Sequence, residues 1–331
     1  MKVLIYVIII ILCLFIVENV VLYIPSFFER RCVLMKKYKI SKDIWIFLLA
    51  VCVSFGFIAS NYTYKKNIEE AKAKAKIERS KEEAKKAEEE KIEPIPSDIS
   101  DPEVLSYLEE FQKRAKDDKR YNEVIKNSKE YQKDVLELLY KNDETLDFVL
   151  SKSNFRMPGI FVKIDKECGN GVIPILQQWD SKWGWYKYGE NILALNGCGP
   201  TSLAMVITGL TGNDGINPME IAKYSDENGY HEKAGTNWDL MTDIVEKYGV
   251  KGRRISVAKE SFENALNSGN PIICSVGPGY FTKEGHFIVI SGIKDGKLII
   301  HDPNSIKNSK KLWEFNDIKN QIKAAWAYSL E

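Results

Sequence analysis

Apolar and charged positions are sharply segregated along the chain. A 22-residue run from Val3 to Ile24 is interrupted only by Glu18 and Asn19, and a second run of 17 residues extends from Ile44 to Ser60. The first is long enough to cross a hydrocarbon layer of roughly 30 Å, and the second is at the short end of that range. Trp45 on one side of the second run and Tyr62 and Tyr64 on the other suit the two interfaces of a bilayer. Neither run ends in a small-residue cleavage pattern, so both read as retained spans. From Tyr64 to Ile92 the pattern turns to strong helix formers rich in Lys and Glu, with i,i+4 pairs such as Glu70 with Lys74 and Glu82 with Lys86. Without a stripe of large apolar residues this segment reads as a solvated helical spacer rather than a coiled coil. The prolines of Glu93–Ser100 end it, and amphipathic periodicity then predicts helices over Pro102–Asp118 and Gln132–Ser151 that need an apolar partner.

Beyond about Phe155 the charged helices give way to Gly, Pro, Trp and β-rich runs. In Leu195–Leu210, the residues Leu203, Val206, Ile207 and Leu210 follow the i, i+3, i+4, i+7 spacing of a helix with one buried face; Pro200 suits its first turn, and Gly209 and Gly212 its end. The segment Gly285–Ser305 reads as two antiparallel strands around Asp295-Gly296.

The expected organisation is therefore a membrane anchor over 1–63, a charged stalk and linker over 64–100, a helical collar over 101–153 and a mixed domain over 154–331. Lys and Arg counts favour a cytoplasmic loop between the spans, with six in Pro25–Asp43 against Lys2 before it and Lys65, Lys66, Lys72 and Lys74 after the second span. Met35 is an alternative start that would leave one span. Either version puts the C-terminal region outside the cell membrane. Overall charge adds nothing, since 47 Lys and Arg meet 46 Asp and Glu, and no nucleic-acid partner is implied. The six cysteines, at positions 13, 32, 52, 168, 198 and 274, form no CxxC pair or disulfide framework.

Cys198 is the residue that changes this picture. It lies at the N-terminal edge of the predicted helix, where unpaired N–H groups and the helix dipole favour a thiolate, and Gly197 and Gly199 leave room for a substrate backbone. A nucleophilic thiol needs a base, and the base needs an orienting group. A three-residue loop Lys294-Asp295-Gly296 places Ile288 opposite Asp302 and His286 diagonal to it, close enough for their side chains to meet. A two-residue Asp-Gly turn would put His301 in place of His286. His231 sits in a polar stretch and reads as an exposed bystander. Neither a zinc spacing nor a nucleotide-binding loop is present, so no metal or cofactor is expected. The Cys198 N–H and the side-chain amide of Gln177 or Gln178 are candidate oxyanion donors. Trp179, Trp183, Trp185, Tyr186 and Tyr188 read as core or cleft wall. Cys274 reads as a core residue, and a bridge from it to Cys168 is conceivable but has no support in the sequence.

Gln178-Trp179-Asp180, the Gly197-Cys198-Gly199-Pro200-Thr201-Ser202 helix start, Gly285-His286-Phe287 and His301-Asp302-Pro303-Asn304 together resemble the papain-like cysteine peptidases of the bacteriocin-leader-processing type, the family thirty-nine-like group of bacterial exported and membrane-anchored proteins. The resemblance covers about residues 130 to 331. It implies an α+β papain-like fold, a nucleophile helix against an antiparallel sheet, with Cys198 as nucleophile, His286 as general base and then acid, Asp302 as orienter and Gln178 as oxyanion donor. These 331 residues hold no transport or ATPase domain, and outward topology argues against cleavage of double-glycine leaders inside the cell. The expectation is an extracytoplasmic thiol hydrolase anchored in the lipid bilayer, with a peptide or amide substrate, cell-wall or exported peptides among the candidates. A tethered papain-like binding module without turnover is the alternative.

Overall fold

The computed structural model describes residues 41–155, 162–232 and 235–331. The first predicted span, Val3–Ile24, lies outside them, as does the cationic loop up to Ile40. The chain divides into two units, Met1–Lys91 and Ile92–Glu331.

In the first unit the second apolar run and the charged stalk are one uninterrupted helix, α1 (Lys42–Glu90), of 49 residues. Nothing between Ser60 and Tyr64 breaks a helix, so the change from apolar to charged composition is a change of surroundings and not of backbone. At ~1.5 Å per residue it is roughly 70 Å long. It is long and apolar enough to cross a membrane, and Phe47, Phe55, Phe57 and Ile58 are exposed along its apolar part. The charged part pairs Lys66 with Glu70 and Arg79 with Glu83, each i,i+4 and solvent-exposed, in place of the pairs expected from spacing alone.

The second unit opens with four helices, α2 (Pro102–Arg114), α3 (Tyr121–Lys126), α4 (Lys133–Lys141) and α5 (Leu146–Leu150). Asp101 caps α2 by accepting the N–H groups of Glu103 and Val104. The single helix expected over Gln132–Ser151 is broken at Asn142, whose backbone is extended. Its side chain explains the break: Oδ1 accepts the Glu144 N–H at 3.1 Å, and Nδ2 donates to the Asn304 carbonyl at 2.7 Å. A long-range hydrogen bond thus overrides local helix periodicity. Leu108, Phe111, Val135, Leu136 and Leu139 bury their side chains in one cluster with Trp179 and Ala194 of the following region.

The strands β1 (Lys187–Tyr188) and β2 (Asn191–Ile192) form a small hairpin. A short turn of helix, Leu193–Asn196, leads into α6 (Cys198–Thr211), then α7 (Pro218–Glu227). A second small hairpin pairs β3 (His231–Glu232) with β4 (Gly235–Thr236), and α8 (Leu240–Glu246) follows. The main sheet contains β5 (Val250–Ile255), β6 (Ile272–Val276), β7 (His286–Lys294), β8 (Lys297–His301), β9 (Leu312–Trp313) and β10 (Ile322–Leu330), with α9 (Lys259–Asn267) between β5 and β6. Its order is β5-β10-β6-β7-β8-β9, antiparallel throughout. This is the expected α+β arrangement of a nucleophile helix against an antiparallel sheet. Both faces are covered. Phe287, Val289, Ile273 and Trp326 pack with α6 and α8, whereas Ile288, Ile290, Leu298 and Ile300 pack with α9.

Helix α6 differs from expectation in its burial. Every residue from Gly199 to Leu210 is buried, so it is enclosed on all sides and not along one face. Gly212, with φ of 72°, ends it. Gly209 lies inside the helix and serves close approach: a Cβ there would fall 2.8 Å from the Ile173 Cα and 3.0 Å from the Val172 carbonyl oxygen.

The β7–β8 register places the candidate base by a route other than the one expected. Lys294 pairs with Lys297, so the turn is the two residues Asp295 and Gly296, at φ of 53° and 73°. Two successive positive φ values are what a type I′ turn requires. Alone, that turn would exchange His286 for His301. A β-bulge reverses the exchange: Gly292 pairs with Ile299 but Ile290 with Ile300, leaving Ser291 extra. Val289 therefore faces His301, and one step on Ile288 is level with Asp302.

Replacing Gly209 by alanine should destabilise the full chain by about 1–3 kcal/mol, because the new methyl meets backbone as well as the end of the Ile173 side chain. Urea unfolding of the Ile92–Glu331 unit within the intact protein checks this. An unchanged midpoint would show that the segment around Ile173 moves aside freely.

Candidate active site

The site is assembled from three elements: the start of α6, the start of β7 and the loop that follows β8. Gly197, Cys198 and Gly199 bring the chain out of the Leu193–Asn196 turn and into α6 with the thiol half-buried on the first residue of the helix. His286 begins β7 and is buried. Its Nε2 bonds to Asp302 Oδ1 at 2.8 Å, which leaves Nδ1 for the Cys198 thiol, close enough for each group to shift the other's proton affinity. The structure therefore brings Cys198, His286 and Asp302 together.

Asp302 is 1% exposed, and a carboxylate that far from water needs several donors. Oδ1 accepts from His286 and from the Asn304 N–H at 2.8 Å, and Oδ2 accepts from Asn308 Nδ2 at 2.8 Å. Its own N–H donates to Ser309 Oγ at 2.9 Å. The loop bearing these donors is held from outside. Asn142 Nδ2 and Trp179 Nε1 both donate to the Asn304 carbonyl, at 2.7 and 3.1 Å, and Glu144 accepts from Ser305 Oγ and the Lys307 N–H, each at 3.0 Å.

Proton affinities follow from this geometry. Burial pushes the Cys198 thiol up, but the hydrogen bond and charge of His286, with the N–H groups of Phe287 and Gly199, pull it further down, so the thiol sits below its ordinary value. For His286 burial favours the neutral ring, and the Asp302 charge and hydrogen bond, aided by Cys198, outweigh it and raise the imidazole well above its usual range. Opposite shifts on hydrogen-bonded partners favour a thiolate–imidazolium pair. His301 behaves differently: burial lowers it to about 4 and keeps it neutral, with Nε2 3.1 Å from Ser291 Oγ on the bulge.

Gln178 is buried beside the turn leading into Cys198, where Nε2 donates to the Ala194 carbonyl at 2.9 Å and more distantly to Leu195 at 3.4 Å. Its Oε1 has no partner among the described residues. Gln177 is engaged elsewhere, donating to the Asp302 carbonyl at 3.2 Å while its own carbonyl accepts from Trp183 Nε1 at 2.7 Å. Of the two glutamines, Gln178 is the one bonded to the short turn that leads into Cys198.

Three further placements depart from expectation or were not foreseen. His231 is not an exposed bystander. It packs edge-on against Tyr188, ring centroids 4.6 Å apart, because Gly189 opens space for its ring. Cys168 and Cys274 are both free thiols, and Cys274 is buried in β6. Thr236 borders the nucleophile: a Cβ on Gly199 would lie 2.7 Å from Thr236 Oγ1, which is 2.8 Å from the Tyr188 hydroxyl. No local pattern announces Thr236, whereas Asp302-Pro303-Asn304 is an Asx-turn sequence, a signal that could have identified the Asn304 N–H as a donor to Asp302.

The shifts predict a pH window. Because the thiol is depressed, its thiolate survives as pH falls below the ordinary thiol range of about 8.5 and is lost only on passing the lowered value. Because His286 is raised, its positive charge survives above its ordinary 6.5. Iodoacetamide alkylation of Cys198 should therefore lose less of its rate between pH 8 and pH 6 than that of an ordinary thiol. Asp302→Asn, which removes the charge holding the imidazolium, should slow the pH 6 reaction about tenfold or more, one unit of thiol pKa being a factor of ten. A wild-type rate that falls tenfold per pH unit below 8 would contradict this.

Residues 172–330 match the family model described as "Peptidase_C39 like family". Among solved structures, the chain is similar to the peptidase domain of Streptococcus ComA, described as a bi-functional ABC transporter involved in a quorum-sensing pathway. The identity is 23% and the TM-score 0.33, over 41% of this chain and 93% of that one. A protein described as a C39-like peptidase from Bacillus anthracis is 16% identical, with a TM-score of 0.32, over 50% of this chain and 99% of that one. No curated protein matches the chain. The region from Val172 to Leu330, which contains the thiol, the imidazole and the carboxylate, belongs to the Peptidase_C39-like family.

Proposed function

We propose that this chain is a membrane-anchored, extracytoplasmic cysteine peptidase or amide hydrolase working through Cys198, His286 and Asp302. The observation that carries the reading is the buried imidazole of His286, bonded to a fully satisfied buried carboxylate and set beside a half-buried thiol at a helix start. In the proposed reaction the Cys198 thiolate attacks the carbonyl carbon of a peptide or amide and forms a C–S bond, while the carbonyl π electrons move to oxygen. The Cys198 N–H and the Gln178 amide stabilise that oxyanion. His286 gives its proton to the departing nitrogen, the C–N bond breaks, and the amine leaves a thioester. His286, now neutral, takes a proton from water. The resulting hydroxide displaces the thiolate, releasing a carboxylic acid and restoring the starting state. Asp302 keeps the imidazole oriented and stabilises its charged form without taking the proton itself.

The apolar part of α1 is the proposed membrane anchor, with the charged remainder as spacer. The excess of Lys and Arg before Ile44 over those soon after Tyr64 supports a cytoplasmic N-terminal flank and an exterior catalytic region. The match of residues 172–330 to the Peptidase_C39-like family is consistent with peptide cleavage here.

Two measurements test this. The full chain in detergent should release products from peptide or cell-wall fragment mixtures that its Cys198→Ala form does not, and His286→Ala should reduce the rate by roughly 10³-fold or more. Equal alkylation of Cys198, Cys168 and Cys274, with no products, would instead leave a tethered binding module. For topology, a membrane-impermeant maleimide added to wall-stripped intact cells should label Cys198 without lysis. Labelling that requires lysis would place the site in the cytoplasm.

A further inference from the structure

We infer that Arg254, set against Trp238 and Trp326 on the sheet face that packs on α6, is a subsite for a carboxylate of the peptide bound across Cys198. This rests on the peptidase reading and adds a substrate class to it. The guanidinium carbon of Arg254 lies 5.4 Å from the Trp238 ring centroid and 5.9 Å from that of Trp326, and the two indoles meet edge to face at 5.7 Å. Trp326 is buried and forms the floor, whereas Trp238 is 38% exposed and Arg254 is exposed. Among the described residues Arg254 has neither a carboxylate nor any other hydrogen-bond acceptor, and the Trp238 indole N–H has no partner. A donor-rich, acceptor-free group held between aromatic contacts is already partly ordered for a planar bidentate anion, so less side-chain entropy is lost on binding one.

Two connections place this group next to the chemistry. Phe287, whose N–H bonds the Cys198 sulfur, has its ring 6.4 Å from that of Trp326. Thr236, two residues before Trp238, is the residue pressed against Gly199. An extended peptide rising ~3.3 Å per residue from the scissile bond would reach Arg254 within a few residues.

The plainer role for a cation on this strand is to discourage pairing, since β5 is an edge of the main sheet. Lys251 and Arg253 suffice for that. Arg254 is set apart because it sits opposite Trp326 in the register and so shares the sheet face that packs on α6, the side of the thiol. Lys251 and Arg253 add to the positive potential that would draw an anionic substrate towards it.

The experiment uses the full chain in detergent with degenerate hexapeptide libraries, each made with Glu or Gln fixed at one position and with a free-acid or amidated C-terminus. Peptide consumption is read by mass spectrometry. At one fixed position, or at the C-terminus, the acidic version should be consumed about tenfold faster than its neutral counterpart; the first result identifies an acidic side chain as the ligand and the second a terminal carboxylate. Arg254→Gln should bring that ratio to about one, Arg254→Lys should keep part of it, and 0.5 M salt should reduce it. Iodoacetamide labelling of Cys198, which needs no subsite, reports whether the site is intact in each form. Fast selective labelling with no acidic preference, with no peptide consumed, or with a preference that survives Arg254→Gln overturns the subsite alone. Slow unselective labelling overturns the peptidase reading and the subsite with it.

Discussion

A carboxylate almost sealed from water is the constraint around which this domain is arranged. Burying a carboxylate there is tolerated only because donors and a nearby positive charge surround it. Three donors surround it, from His286, Asn304 and Asn308, and the charge is that of His286 itself. Remove any of them and the balance that raises the imidazole weakens, and with it the balance that depresses the thiol. The low proton affinity of Cys198 is thus a property of the loop after β8 as much as of the helix on which the sulfur sits. The helix start supplies geometry and local N–H groups; the imidazolium, stabilised from behind, supplies the decisive charge.

How far this arrangement is legible in the sequence is clearest in the β7–β8 hairpin. Apolar alternation in Ile288 and Ile290 and in Leu298 and Ile300 puts these residues on one face, and both pairs do pack against α9. From that alternation the pairing of His286 with Asp302 follows. The turn does not. Asp295-Gly296 has the signature of a two-residue connection, and it forms one, so the extra residue that parity demands has to lie somewhere else. It lies at Ser291, where a hydroxyl beside buried, neutral His301 replaces the lost ladder contact. Hydrophobic burial of four side chains outweighs the regularity of the ladder, which is why the face assignment was readable and the bulge was not.

The features that escaped the sequence are those decided at long range. Asn142 interrupts an amphipathic stretch that by local propensity would continue, because its side chain finds the Asn304 carbonyl, 162 residues away. His231 lies in a polar segment yet packs on Tyr188, since the absent side chain of Gly189 opens a slot for it. Gly209 carries the composition of a helix end but marks a close crossing with the strand-like segment at Ile173. In α1, by contrast, no tertiary partner among the described residues competes with local propensity, and two segments read separately for their chemistry are continuous in backbone.

The helices before the family-matched region therefore have a part in the site that composition alone would not assign. Nothing in 101–153 has the residues of a reaction, and a charged, solvated surface is an adequate account of its exposed side. Its buried side is another matter. Asn142, Glu144 and the Trp179 indole converge on four consecutive residues, Asn304 to Lys307, immediately after the carboxylate. That segment carries the Asn304 N–H and leads into the turn bearing Asn308 and Ser309, all of which bond Asp302. A loop after an edge-proximal strand would ordinarily be among the more mobile parts of a domain. Here it is clamped from the far side by Asn142 and Glu144, which precede Cys198 by more than fifty residues in sequence, and by Trp179. The collar fixes the carboxylate, the carboxylate fixes the imidazole, and the imidazole sets the state of the sulfur, so the chemical unit begins well upstream of the region the family model recognises.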